Sequence, residues 1–411
     1  MKILDWNLIL RRDNFFLCLQ FLFTGIIVFF SASGLHYPIS IFLGINTILY
    51  LVVCNSSKSL ACLFKKSWMF RIFLLLAFIS MISYINVTDY SLPKIPFLKR
   101  ADYYNLFFYS LVWFFNFIFT AVYTLRINSY KLIYYSVVIF FVCAIYSNIR
   151  AYMYNRTVLS TLIQYHYYYY VLVCLPFLFI KSAKLIRYLL LLIAFVATIY
   201  SFKRSGVFVC MIMFVFFLYA DYKRSLKTFV GGILLLIPIL FVFNKYVASA
   251  EATLRTMGRM ETLAEDRGSG RGDNLITTLE LIDKGSFEER LLGHGSMSMV
   301  ICHYHMIDVE WVAIYYYYGL IGIILYVLFH FLLLKRLVCI KQTFKDNDKI
   351  LYAYIACWTI FAFYSFTGEM FSYQYLSSLL FIFLGMMEGL IILQKGQNQL
   401  PIYRNNNTLL Q

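Results

Sequence analysis

The chain has 411 residues, of which 62% are hydrophobic and only 14% charged. A soluble domain is about half apolar and about a quarter charged, so this composition excludes a water-solvated globular protein and makes length a measure of membrane spans. The formal charge of +16 would suggest nucleic acid in a soluble protein. Here it is the excess of Lys and Arg that cytoplasmic loops carry, and no nucleic-acid partner is expected.

A span needs about 20 largely apolar residues. In chain order such runs lie near 14–30, 35–53, 71–86, 104–125, 132–147, 165–180, 186–201, 206–220, 228–243, 307–334, 351–367 and 371–393. The expected fold is all-α, a polytopic transmembrane bundle of about twelve helices. Its spans fall in 1–243 and 307–394, separated by a polar segment at 244–306 and followed by a tail at 395–411. The tripeptide SAS at 31–33 has the form of a signal-peptide cleavage site, but the long run before it predicts an uncut anchor.

Basic residues set the orientation. Lys2, Arg11 and Arg12 precede the first run and place the N-terminus inside. The even-numbered turns then hold Lys58, Lys65, Lys66 and Arg71, then Arg126 and Lys131, then Lys181, Lys184 and Arg187. Lys223, Arg224 and Lys227 follow, and after them Lys335, Arg336, Lys341, Lys345 and Lys349; the tail holds Lys395 and Arg404. The short outer turns have far fewer, which predicts both termini in the cytoplasm and 244–306 on the outer side.

That outer segment holds nine of the 20 acidic residues and a glycine-rich stretch, EDRGSGRGDN (265–274). A connection of this length is usually functional or disordered. Within it, 251–266 places Leu254, Met257, Met260 and Leu263 at helical spacing, which predicts a short amphipathic helix near the membrane surface. The segment ends in GHGSMSMVICHYHMIDVEW (293–311), which gathers His294, His303, His305, Asp308 and Glu310. Lys203 and Arg204, in FKRSG (202–206), lie at the outer end of a hairpin, against the charge trend; Arg150 and Arg156 are milder cases.

Arginine presents a planar donor fork suited to phosphate oxygens, and lysine a point charge. Arg204, Arg271 and Lys203 together on the outer surface would suit a lipid phosphate or diphosphate. A carboxylate or imidazole beside it would take a proton from an attacking hydroxyl. The alternative is that the arginines pair with headgroups and loop acids. His294 reads equally as a turn residue, and the alternative for Asp308 is a favourable charge at a helix N-terminus. Glu310 is expected to face away from Asp308 and to pair with an arginine.

Four stretches carry a resemblance: KRSG (203–206), GRGDN (270–274), LLGHGS (291–296) and DVEWVAIYYYYGLIG (308–322). In their order around one large outer loop, they resemble the superfamily of O-antigen polymerases and O-antigen ligases. The likeness covers about a third of the chain. It implies a metal-independent glycosyltransferase, with no cofactor, at the periplasmic face of a bacterial inner membrane. Its donor and acceptor would be undecaprenyl-diphosphate-linked oligosaccharides, and a chain-length regulator and a flippase would be its partners. Carried over, Arg204 and Arg271 would hold the donor diphosphate, while Gly293 and Gly295 would shape the turn before the catalytic helix. Ligases place a histidine eleven residues before the first glycine of G-x-x-G; here Asp308 stands at that distance from Gly319. The acidic residue favours a polymerase over a ligase, and leaves open whether Asp308, His305 or His303 is the base.

Other signals are read as structural. DND at 346–348 lies in a lysine-rich turn and is taken as solvated loop, and RGD at 271–273 as chance apart from its arginine. The nine cysteines form no C-x-x-C, so neither a disulfide framework nor a zinc site is expected. HYYYY at 166–170 and YYYY at 315–318 suit interfacial packing, or stacking on sugars. The rival from another class is a lipid-linked oligosaccharide flippase, which would bury charges mid-span and use short connections. Apolar runs nearly free of charge favour an enzyme.

Overall fold

A computed structural model describes residues 12–30, 36–85, 107–157, 167–200, 204–222, 271–295, 298, 307, 309–344, 348–367, 371 and 374–398. Among these the chain is helical, with no strand. The helices are α1 (Arg12–Phe29), α2 (His36–Val53), α3 (Ser57–Lys66), α4 (Trp68–Ile85), α5 (Val112–Ile127), α6 (Lys131–Thr157) and α7 (Tyr167–Lys181). They continue with α8 (Lys184–Tyr200), α9 (Arg204–Tyr222), α10 (Arg271–Lys284), α11 (Phe287–Leu292), α12 (Glu310–Thr343), α13 (Asp348–Thr367) and α14 (Gln374–Asn398). Five of the described helices are long and apolar enough to cross a membrane, or six if α2 and α3 count as one bent span. Shorter apolar helices lie within α4, α5, α7 and α9. This is consistent with a multi-pass membrane protein. The expected run at 228–243 and the amphipathic helix at 251–266 lie outside the described residues.

The chain forms two compact units. The first comprises 1–136, 273–345 and 365–411. Its tightest seam joins α5 and α14, where Gly385 and Gly389 lie four residues apart on one face. A side chain at Gly385 would overlap Phe117 and Thr120, and one at Gly389 would press on Thr124 and Ala121. Small residues at this spacing let two backbones approach closely, which substitutes for the hydrophobic drive that lipid does not supply. Beside the seam, Phe73, Trp113, Phe117, Phe371 and Phe381 pack edge to face around one another.

Isolated polar residues inside the apolar runs find one another. Asn46 donates to Gln20 Oε1 at 2.8 Å, and Gln20 donates to Asn116 Oδ1 at 2.9 Å, tying α1, α2 and α5 together. Asp13 accepts from Arg126 at 2.8 Å and from the Tyr50 hydroxyl at 3.0 Å. These contacts bring the start of α1 and the ends of α2 and α5 to one end of the unit. Glu388 in α14 is 2% exposed. It pairs with Arg336 Nε at 2.6 Å and accepts from Ser67 Oγ at 2.7 Å. The sequence treats 371–393 as an apolar run, yet it contains a buried ionic lock.

The second unit comprises 137–272 and 346–364. At one of its ends Asp221, closing α9, lies 3.8 Å from Arg187 and 3.6 Å from Lys184. It also accepts from the hydroxyls of Tyr188 and Tyr352. The Arg187 guanidinium stands 3.9 Å over the Tyr352 ring. A carboxylate removed from water needs this many donors. Arg204 opens α9, about 25 Å along that helix from Asp221 at 1.5 Å per residue.

Candidate functional site

The expected span at 307–334 is not one straight helix. Gly319 interrupts α12 with φ 66° and ψ −164°, a region open in practice only to glycine. Trp311 lies 4.6 Å from Tyr326 and 5.4 Å from His330, ring centre to ring centre. On a straight helix Trp311 and His330 would be about 28 Å apart. The chain therefore doubles back at Gly319. The arm 310–318 lies against the arm 320–343, and the latter, about 36 Å long, is the part that can cross a bilayer.

What fills the hinge is the turn Gly293–His294–Gly295. The His294 amide donates to Tyr316 O at 2.8 Å and the Gly295 amide to Tyr317 O at 3.0 Å. Both glycines have positive φ, 84° and 93°. A side chain at Gly293 would overlap the Tyr317 carbonyl, and one at Gly319 would overlap the Leu291 carbonyl and the Gly293 nitrogen. Gly322 is needed too, because a Cβ there would run into that of Tyr318. The glycines of LLGHGS and of YYYYGLIG thus serve one joint, each leaving room for the backbone of the other.

The turn is held from behind. In α11, Ser286 Oγ accepts from the Glu289 amide at 3.2 Å and Glu289 Oε2 accepts from the Ser286 amide at 2.7 Å, a reciprocal cap. The other Glu289 oxygen faces His294 Nδ1 at 3.5 Å, and the His294 ring lies flat on Tyr316 at 4.5 Å. Ser83 Oγ, near the end of α4, donates to the Leu292 carbonyl. His294 is therefore both a turn residue and a half-buried ring in a fixed place.

Burial lowers the His294 pKa below its ordinary value, opposed by the Glu289 carboxylate. The Glu289 value is lowered chiefly by the hydrogen bond it accepts from the Ser286 amide. Both shifts act with the same sign. A histidine with a lowered folded value loses stabilisation as pH drops below its ordinary value, about 6.5; the carboxylate loses it as pH falls from its ordinary value through the lowered one. Hydrogen-exchange protection of 287–295, corrected for intrinsic rate, should be flat from about pH 8 to 6.5 and decline below that. His294→Phe, which keeps the stack on Tyr316, should remove the upper part of the decline. Protection that rises on acidification would contradict this account.

Below the hinge, Glu310 opens α12 and is fully buried. Its Oε1 accepts from the Phe371 amide at 2.8 Å. This main-chain contact ties the arm 310–318 to the chain before α14. Alongside it, Tyr326 and Ser365 share a 2.8 Å hydrogen bond and Ser365 lies 3.1 Å from His330 Nε2. Sequence reasoning missed this polar group, although a histidine inside an apolar run is a legible signal.

Arg204 and Arg271 are the first residues of α9 and α10, and their side chains lie outside what the structure describes. Lys203, His303, His305 and Asp308 also fall outside the described residues; Ile307 and Glu310, on either side of Asp308, are buried. Gly293, His294 and Gly295 are brought together with Tyr316, Tyr317 and Gly319. Among the described residues, no group of three His, Cys, Asp or Glu side chains is placed to hold a metal ion. Asp348 of the D-x-D string opens α13 and is exposed. No protein-family model matches the sequence, and no curated protein matches it.

Proposed function

We propose that this protein is a bacterial inner-membrane glycosyltransferase that polymerises undecaprenyl-diphosphate-linked oligosaccharide repeat units into a surface polysaccharide of the O-antigen type. The observation that carries the proposal is the joint at Gly319. Two stretches on which the resemblance rests, LLGHGS and DVEWVAIYYYYGLIG, are far from mere neighbours in sequence: they interlock through His294, Gly295, Tyr316 and Tyr317. The joint holds Gly295, and Glu310 is tied down nearby; His303, His305 and Asp308 lie between these two residues in the sequence.

In this proposal about twelve helices span the membrane, both termini and the Lys335–Lys349 stretch are cytoplasmic, and 244–306 is periplasmic. Arg204 and Arg271, assisted by Lys203, hold the donor diphosphate and offset the charge that develops on it as the glycosidic bond breaks. Asp308, with His305 or His303, orients or deprotonates the acceptor hydroxyl. The guanidinium groups do the work a metal would otherwise do. A flippase is the competing account that the buried Glu388–Arg336 pair favours, since transporters bury charge. The pair is nevertheless closed, with Ser67 on its third side, and Glu388 is level with the last turn of α5 through the Gly389–Thr124 contact.

Deletion with complementation, followed by a gel of the surface polysaccharide, tests the proposal. A polymerase leaves a single repeat unit in place of the ladder when deleted. Lipid-linked polymer that accumulates without reaching lipid A core would make the protein a ligase, and absence of any lipid-linked repeat at the outer face would make it a flippase.

A further inference from the structure

The corner between α2 and α4 has no part in the site described above, and it is built with care. The axis turns by 106° between α2 and α3. A helix set across a spanning helix runs along the membrane surface, not through it. From Ser57 to Arg71 the sequence has Lys58, Lys65, Lys66 and Arg71 and no acidic residue. Leu63 is buried against the unit, while the three lysines point outward and are exposed.

Beside these charges stand two aromatic rings. Phe64 is 49% and Trp68 62% exposed. Arg71 donates from Nε to Phe64 O at 2.8 Å and from Nη2 to Lys65 O at 2.7 Å, which closes the C-terminal end of α3. Its guanidinium lies 4.6 Å from the Trp68 ring centre and 5.6 Å from that of Phe64. On the inner side Ser67 fixes the corner: its Oγ accepts from the Phe70 amide at 3.0 Å and donates to Glu388, which Arg336 neutralises. The backbone is thus anchored from within, and its outer surface combines fixed positive charge with exposed aromatic area.

We propose that this corner is a binding site for the headgroup of an anionic phospholipid. Lys65, Lys66 and the outer edge of Arg71 take the phosphate, and Trp68 and Phe64 seat in the boundary between headgroup and acyl chains. With Nε and Nη2 bonded to main-chain carbonyls and the ring face on the indole, Arg71 offers Nη1 at its outer edge to a phosphate oxygen. Tryptophan is the side chain favoured at that depth. The occupant is a bilayer lipid and not a soluble acidic protein because the patch runs without interruption into the flank of α4. There Leu74, Leu75 and Phe78 are 38%, 50% and 58% exposed, as on a lipid-facing surface.

The test uses the full chain reconstituted in phosphatidylcholine vesicles doped with a minor fraction of brominated lipid, which quenches nearby tryptophan. Subtracting the signal of Trp68→Phe isolates Trp68 from the other tryptophans. Brominated phosphatidylglycerol should quench Trp68 more than brominated phosphatidylcholine of the same chains. The preference should be about fivefold for each basic residue engaged. Lys65→Gln with Lys66→Gln, both exposed and outside the packed seam, should reduce the preference to the roughly fivefold that Arg71 alone supplies. Equal quenching by the two lipids, or an unchanged preference in the double variant, would overturn the assignment. Loss of the preference on adding millimolar inorganic phosphate at constant ionic strength would overturn it too, since the site would then be one for free phosphate.

Discussion

Gly319→Ala is expected to abolish polysaccharide extension while the protein still reaches the membrane. At φ 66° and ψ −164° an alanine is strained by about 1–3 kcal/mol before any contact is counted. Its Cβ would also overlap the Leu291 carbonyl and the Gly293 nitrogen, so the turn cannot remain docked. Gly293→Ala carries the reciprocal clash with Tyr317 and should behave alike. Gly396→Ala serves as the control, because nothing lies within 4 Å of that position. The readouts are the polysaccharide ladder and the amount of protein in the membrane fraction. A full ladder from both alanine variants would show that the docked turn is dispensable to function.

Arg204→Ala and Arg271→Ala are each expected to lower transfer by about 10²–10³, the usual cost of deleting a donor aimed at charge that develops in the transition state. Each residue opens a helix, whose N-terminal end favours negative charge, so the side chain adds to the field of the helix dipole. Lysine at either position should rescue only in part, since it supplies charge without the two-pronged fork. Protein level must be unchanged for the comparison to hold. Normal polymer from either alanine variant would reassign that arginine to headgroup or loop contacts.

The apolar runs made the helices legible. α1, α2, α7 and α14 lie close to the predicted 14–30, 35–53, 165–180 and 371–393 because a continuous apolar stretch needs no tertiary information to read as a helix. The fold-back at Gly319 was not legible, since YYYYGLIG is apolar throughout and a single glycine inside such a run reads as helix. α3 was concealed for the opposite reason: Lys58, Lys65 and Lys66 mark a turn by charge, while Leu60, Leu63 and Phe64 between them make one helical face. The cap of α11 was available as Ser286-x-x-Glu289, but 244–306 was read as loop apart from 251–266. The amide ladder of Gln20, Asn46 and Asn116 and the Glu388 lock depend on residues far apart in sequence, and pattern along one helix does not reveal them. Of the candidate site, the glycines and His294 are placed in one joint with the tyrosine run.

The measurement closest to the central claim is transfer by the purified protein in proteoliposomes supplied with undecaprenyl-diphosphate-linked repeat units and a metal chelator. The account predicts a ladder of lengthened glycans with release of undecaprenyl diphosphate, and a rate lower by about 10²–10⁴ for Asp308→Asn, which keeps the shape of the side chain but cannot take a proton. Absence of any extension by the wild-type protein, or extension that the chelator abolishes, would contradict it.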